Sequence, residues 1–384
     1  MPGHGHLEVV VIRSATLADL DQLEALETRC FDSDRLSRRS FRHMITQAHA
    51  DLLVHETGNT LEGYALVLYH KGTHLARLYS IAVDTAARGR GLGKLLLQAA
   101  EGAALERGCI TLRLEIRSDN HSAANLYRDA GYRQFGTYLD YYEDHADALR
   151  MEKSLARHLE PDMARVPYYR QTTEFTCGPA AIMMAMAAID PELSLHRRLE
   201  FRLWREATTI FMTSGHGGCG PFGMALAAHH RGFGVKLWVN DRDALFLDSV
   251  RSEEKKEVIR VVHEDFSEEI EQAGIEVEYR PVTLEELKDE FDLGGIPVVL
   301  ISSWRIYGER FPHWVVVTGF DERFVYVHDP YVDEEKGKNQ LDSMSMPIQH
   351  EEFTGMARYG RSAQRAAMVL RPRAADSQTT PDKS

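Results

Sequence analysis

The chain has 384 residues, 43% of them hydrophobic, with 58 acidic against 45 basic side chains and a formal net charge of -13. That length suits two domains, each able to bury its own core. The acid excess argues against nucleic acid as the main partner, since a phosphate-binding surface needs concentrated Lys and Arg. No stretch reaches the roughly 20 apolar residues of a membrane helix, so no membrane partner is expected.

Met1 to Ile12 lacks a basic region followed by a long apolar run, so no signal peptide is expected. Cys30, Cys109, Cys177 and Cys219 form no CxxC pair and no disulfide framework, which fits a reducing cytoplasm. From residue 9 to about 155, short apolar strands alternate with amphipathic helices. Leu17–Phe31 reads as helix, and Leu52–His55, Gly63–Tyr69 and Leu78–Val83 as strands. A glycine-rich turn follows: Arg88, Gly89, Arg90, Gly91, Leu92, Gly93 and then Lys94. It opens a helix whose Leu92, Leu95, Leu96, Ala99, Ala100, Ala103 and Ala104 share one face. Backbone N–H groups at such a helix start donate to the oxygens of a pyrophosphate, and Arg88 and Arg90 add charge-assisted contacts. A Walker loop fails here, having Arg88 and Leu95 where Gly and Ser/Thr are needed; a dinucleotide fingerprint fails at Lys94.

Thr111 to Arg117 alternates strictly, with Leu112, Leu114 and Ile116 on one face and Arg113, Glu115 and Arg117 on the other. Asn120 stands at an N-cap position before the helical spacing of Ala123, Leu126, Tyr127 and Ala130.

The loop Arg88…Gly91-x-Gly93, with Leu114-Glu115-Ile116-Arg117, Asn120, Ala124-Asn125-Leu126-Tyr127 and Gly131-Tyr132, resembles the ribosomal-protein-alanine branch of the GNAT N-acetyltransferases. The likeness covers residues 9–155. It implies a mixed-sheet domain and acetyl-CoA as cofactor, held by Ile81, Val83, Arg88, Gly89, Arg90, Gly91, Leu92, Gly93, Lys94, Asn120 and Tyr127. It also implies Glu115 as general base and Tyr127 as general acid, with a peptide or protein carrying a free amine as acceptor. Tyr141 and Tyr142 lie where that family shapes its acceptor pocket, and Asp32 to Phe41 is the expected acceptor loop.

Residues 156–165, charged and containing Pro161, read as a linker. The second domain is expected over 166–372 and a disordered tail over 373–384. Cysteine attack on a peptide carbonyl needs a thiolate, an imidazole, a group orienting that imidazole and oxyanion donors. Cys177-Gly178-Pro179-Ala180 opens an apolar helical stretch to Ile189, and a helix N-terminus lowers a thiol pKa. His313 begins the strand run Trp314–Thr318. A turn at Gly319–Arg323 then leads into Phe324–His328, a hairpin that can return Asp329 to His313. Gln171 lies six residues before Cys177. The segment Ser252–Asp292, rich in Glu and Lys, reads as solvated helix.

The ordered set Gln171, Cys177-Gly178-Pro179-Ala180, His313-Trp314-Val315-Val316 and Asp329-Pro330 resembles the papain-like cysteine peptidases that cut double-glycine leaders from bacteriocin precursors. The resemblance implies oxyanion donor, nucleophile, base and orienting acid at Gln171, Cys177, His313 and Asp329. Cys219-Gly220-Pro221 repeats the tripeptide without the glutamine, and His328 is an alternative base. His4, His6, His216, His229 and His230 make no metal set, so no metal is expected. The expectation is an α/β (α+β) chain, a GNAT domain followed by a papain-like peptidase domain, acting as a bifunctional enzyme. The alternative is an acetyltransferase whose second domain binds peptide without cutting it.

Overall fold

The computed structural model describes residues 11–156, 159–208, 217–247, 250 and 252–373. His4, His6, His216 and the expected disordered tail, apart from Arg373, lie outside the described residues. The chain divides into two compact units, with the division after His158.

In the first unit, β1 (Val11–Ser14), α1 (Leu20–Cys30), α2 (Arg38–Thr46), β2 (Ala50–Thr57), β3 (Thr60–Tyr69) and β4 (Leu75–Val83) are followed by α3 (Leu92–Glu106). Then come β5 (Thr111–Arg117), α4 (His121–Asp129), β6 (Arg133–Tyr138) and β7 (Ala148–Ser154). The sheet order is β1-β2-β3-β4-β5-β7-β6. The central strand β3 is buried on both faces. Ala65, Val67 and Tyr69 pack into the core that takes Leu96, Leu97 and Ala100 of α3, whereas Tyr64, Leu66 and Leu68 pack with Leu20, Leu23 and Leu26 of α1.

One pair breaks the antiparallel pattern. β4 and β5 run parallel, joined by the α3 crossover, and pair only through Leu75–Thr111, Ala76–Leu112 and Arg77–Arg113. Tyr79 is an extra residue in β4, between the Val67–Leu78 and Leu66–Ser80 pairs of the β3 ladder. Such a bulge bends its strand. Beyond Arg77 and Arg113 the two strands no longer pair, and the sheet opens beside the glycine turn.

The second unit contains β8 (Asp162–Met163), α5 (Cys177–Ile189), α6 (Arg197–Ala207), α7 (Pro221–His229), β9 (Phe233–Val239), α8 (Glu253–Gln272), β10 (Glu276–Glu278) and α9 (Leu284–Asp292). It continues with β11 (Ile296–Ser302), α10 (Trp304–Tyr307), β12 (Pro312–Phe320), β13 (Phe324–His328), β14 (Met346–Gln349), α11 (His350–Met356) and β15 (Ala366–Pro372). The sheet order is β10-β9-β15-β11-β12-β13-β14, with β8 against β12. In β12, Trp314 and Val316 pack into the core of α5, while Val315 and Val317 join the core on the other face with Leu287 and Phe353. Pairing of β11 with β12 stops at Val316, so the backbone at Gly319 and Phe320 is left for β8. Residues 162–163 therefore belong to this sheet instead of forming a free linker. The charged segment is mostly solvated helix, as its composition predicts; of the 20 residues of α8 only Ile259 and Ile270 are buried, and a short strand, β10, interrupts the segment.

Candidate active sites

The glycine turn of the first unit uses two left-handed residues, Gly89 (φ 79°) and Gly91 (φ 81°), where a side chain would be strained. Gly91 is also the N-cap of α3 and brings no side chain to cap it. The first N–H groups of this helix are thus left for a ligand. Arg88 and Arg90, beside that terminus in sequence, both have protein partners in this structure. Arg88 Nε donates to the Val83 carbonyl at 3.3 Å, and Arg90 Nη1 pairs with Glu62 at 2.8 Å. Leu92 is buried in the core and Lys94 is exposed. Ile81 and Val83 lie on the half of β4 that does not pair with β5. Asn120 caps α4, accepting from the Ala123 N–H at 3.1 Å.

Glu115 is not the surface residue that its polar strand face implies. Arg77 Nε of β4 donates to Glu115 Oε2 at 3.0 Å, and the two side chains are only 6% and 5% exposed. Arg113 on the same face is buried too, against Glu152 at 3.0 Å. Around Arg77 and Glu115 stand Tyr138, Tyr141 and Tyr142. Tyr138 and Tyr141 stack with ring centres 5.4 Å apart, and Arg77 Nη2 donates to the Tyr141 hydroxyl at 3.3 Å. Tyr127, on α4, is 3% exposed and meets Tyr132 edge-on. Burial, then the nearby Tyr142, push the Tyr127 hydroxyl well above its ordinary pKa, so it keeps its proton. Arg77 was missed at the sequence level, although an arginine inside the apolar run Leu75–Val83 is itself a signal of a buried charge partner.

The open edges of β4 and β5 and the uncapped α3 terminus fit an extended, phosphate-bearing cofactor. Acetyl-CoA, when bound, supplies the acetyl group and a thiol leaving group. Gly89, Gly91 and Gly93 with the N-terminus of α3 would hold its phosphates, and the Ile81–Val83 backbone its chain.

In the second unit Cys177 is the first residue of α5 and is half-buried. Gly178 explains how the helix start is seated. A Cβ there would lie 2.5 Å from Met224 Sδ and 3.3 Å from both Cys219 Cβ and Trp314 Cδ1, so a larger residue would have to displace these neighbours. His313, at the start of β12, is 1% exposed, and its Nε2 lies 2.6 Å from Asp329 Oδ1. Asp329 follows β13, whose His328 pairs with Val316 of β12; that hairpin returns the carboxylate to the imidazole. The other carboxylate oxygen accepts the Tyr307 hydroxyl at 2.6 Å, and the Tyr331 N–H reaches Oδ1 at 2.8 Å. With Nε2 committed to Asp329, Nδ1 is left for Cys177, whose nearby sulfur adds to the rise in the His313 pKa.

Gln171 is 6% exposed and tied to the same loop, its backbone N–H donating to the Pro330 carbonyl at 2.9 Å. Its Nε2 donates to the Thr173 carbonyl at 2.8 Å, and its Oε1 is buried with no hydrogen-bond partner among the described residues. The amide keeps a second N–H, which Thr173 does not use. Cys219 is buried, and its thiol is pushed up by burial and then by Cys177, which keeps it neutral. His328 is excluded as base, since Nε2 lies 2.9 Å from the Val166 carbonyl and Nδ1 accepts the Ser345 N–H at 2.8 Å. Tyr307 carried no sequence signal of its role.

Burial by itself would lower the His313 pKa. The Asp329 charge and hydrogen bond, with Cys177, outweigh it and raise the pKa to about 10. Burial would likewise raise Asp329, but His313 holds it below the usual carboxylate range. The imidazolium therefore stabilises the fold fully below about pH 6.5 and stops doing so as pH rises through about 10. The carboxylate contributes above about pH 4 and is lost below it. We expect the wild type to exceed His313→Gln in calorimetric midpoint by the most between about pH 4 and 6.5, with the gap closing towards pH 10. A gap that does not change with pH would contradict this charge state.

The Acetyltransferase (GNAT) family matches residues 17–132, and the Peptidase C39 like family matches residues 166–371. An uncharacterized protein of Mycobacterium leprae is 35% identical over 151 residues, 38% of this chain and 41% of that protein. The N-alpha-acetyltransferase RimI of Mycobacterium tuberculosis is 33% identical over 150 residues, 38% of this chain and 93% of that protein. The ribosomal protein bS18-alanine N-acetyltransferase of Salmonella typhimurium is 38% identical over 79 residues, 20% of this chain and 53% of that protein. The chain thus spans less than two thirds of the Mycobacterium leprae and Salmonella relatives. With an open-edged sheet beside a glycine-capped helix in one unit and a Cys–His–Asp set in the other, the chain belongs to the GNAT acetyltransferases through its first unit and to the Peptidase C39 like family through its second.

Proposed function

We propose that the second unit breaks peptide bonds, or transfers their acyl groups, through a thioester on Cys177. The observation that carries this reading is the buried His313–Asp329 pair at 2.6 Å, with Cys177 close enough to affect the charge of the imidazole. An imidazolium beside the sulfur is the partner a thiolate nucleophile needs. In this reading Cys177 Sγ attacks the carbonyl, His313 passes its proton to the leaving amine, and water later releases the acyl group. Asp329, itself fixed by Tyr307, holds the imidazole in the productive tautomer. The second N–H of Gln171 and the uncapped N–H groups of α5 are the oxyanion donors.

The first unit, on the same proposal, acetylates a primary amine at a peptide or protein N-terminus. The relatives named for N-alpha and ribosomal alanine acetylation support that acceptor class. Glu115, held by Arg77, takes the proton of the amine, and Tyr127 carries the proton that the leaving thiolate receives. Tyr138, Tyr141 and Tyr142 line the acceptor side, where aromatic faces suit an ammonium group before its deprotonation.

Digestion of a random peptide library, read by mass spectrometry, tests the peptidase half. Cleavage should occur with the wild type and with Cys219→Ala and be absent with Cys177→Ala. Binding without cleavage by all three proteins would instead support a peptide-binding module.

A further inference from the structure

The segment between Gln171 and Cys177 has to hold an oxyanion donor and a nucleophile in fixed relation, yet it contains no helix or strand of its own. What holds it comes from another element. Glu200, in the first turn of α6, is completely buried. Its Oε1 accepts the Thr172 N–H at 2.8 Å and the Thr176 hydroxyl at 2.5 Å; its Oε2 accepts the Thr172 hydroxyl at 2.7 Å and the Tyr169 hydroxyl at 2.9 Å. Thr172 directly follows Gln171, and Thr176 directly precedes Cys177. A buried carboxylate is costly unless its lone pairs are filled; here four donors fill them, three from this segment and one from Tyr169 just before it.

Resting on the nucleophile reading above, we propose that Glu200 is a positioning residue for acyl transfer, setting the oxyanion donor Gln171 against Cys177. A carboxylate suits the task where an amide would not. Its two oxygens take about four hydrogen bonds, whereas glutamine has one acceptor oxygen and presents N–H donors to donors. Cys177 itself is anchored separately by the close contact of Gly178 with Cys219 and Trp314. Loss of the Glu200 carboxylate should therefore displace Gln171 more than it disturbs the thiol–imidazole pair.

Two probes separate these effects. Iodoacetamide alkylation reports the thiolate and forms no oxyanion, whereas a reversible peptide aldehyde forms a thiohemiacetal whose oxygen needs the oxyanion donors. In the full chain, Glu200→Gln should weaken aldehyde binding by roughly 10-fold or more, while the alkylation rate of Cys177 stays within about 3-fold of wild type. Combined with Gln171→Ala, it should add little, because both act on one donor. Thr176→Val should repeat the effect and Thr176→Ser should not, which decides the matter if Glu200→Gln does not fold. Unchanged aldehyde binding in a folded Glu200→Gln or in Thr176→Val, or losses that simply add to that of Gln171→Ala, would overturn the proposal. A wild type that neither alkylates quickly nor binds the aldehyde would instead remove Cys177 as nucleophile, and this proposal with it.

Discussion

Asp329→Asn is expected to lower peptide turnover by about 10⁴-fold while leaving the fold in place. The substitution keeps the size and shape of a side chain that is wholly buried between His313 and Tyr307. What changes is the chemistry at both ends. An amide cannot balance an imidazolium, and whichever way it turns, its nitrogen meets the Tyr307 hydroxyl or the His313 N–H where an acceptor stood. Without the carboxylate charge the imidazolium loses its main stabilisation, so His313 no longer holds the proton it takes from Cys177. Turnover on a cleaved library peptide and the pH dependence of iodoacetamide alkylation give the check. A loss below about 10-fold would mean that the 2.6 Å contact is a structural ion pair without a part in the reaction.

Tyr127→Phe is expected to lower acetyl transfer by roughly 100- to 10,000-fold while leaving acetyl-CoA affinity close to wild type. The ring of Tyr127 does the packing, in the core shared by α3, α4 and β5, and phenylalanine preserves that ring. Only the hydroxyl is removed. Its environment suits a proton donor, because burial and Tyr142 keep it protonated through the physiological range. Glu115→Gln should slow transfer as well, and it also breaks the buried pair with Arg77. The two variants differ in a second respect, since Glu115→Gln should lower the thermal midpoint and Tyr127→Phe should change it little. Calorimetric titration with CoA and a steady-state assay on an N-terminal peptide measure both quantities. Equal rates in wild type and Tyr127→Phe would leave the tyrosine a core residue only.

The sequence made the short strands legible from their apolar residues and spacing. Phe324–His328, a continuous apolar run up to its final histidine, and Thr111–Arg117, which alternates, are strands with those bounds. Asn120 looks like a cap and caps a helix, and the Val316–His328 pairing puts Asp329 where a hairpin of that length returns it. What stayed hidden depends on partners distant along the chain. Alternation separates the two faces of β5 but does not tell that Arg113 and Glu115 are buried, since their partners Glu152 and Arg77 lie on strands 39 and 38 residues away. Glu200 reads as one more charge on an amphipathic helix, and nothing in its spacing tells that four donors surround it. The partners of Arg88 and Arg90, the Val83 carbonyl and Glu62, are likewise not foreseeable from local spacing. β8 escaped notice because two residues are too few to show a period.

The most direct test of the account is the rate and stoichiometry of iodoacetamide modification, followed by intact mass in the wild type, Cys177→Ala and His313→Ala. The account predicts one fast modification, at Cys177, lost in Cys177→Ala and much slower in His313→Ala, with Cys219 unmodified while the protein is folded. Slow, indiscriminate modification of the four cysteines, indifferent to His313, would contradict it and leave acetyl transfer as the chain's one chemistry.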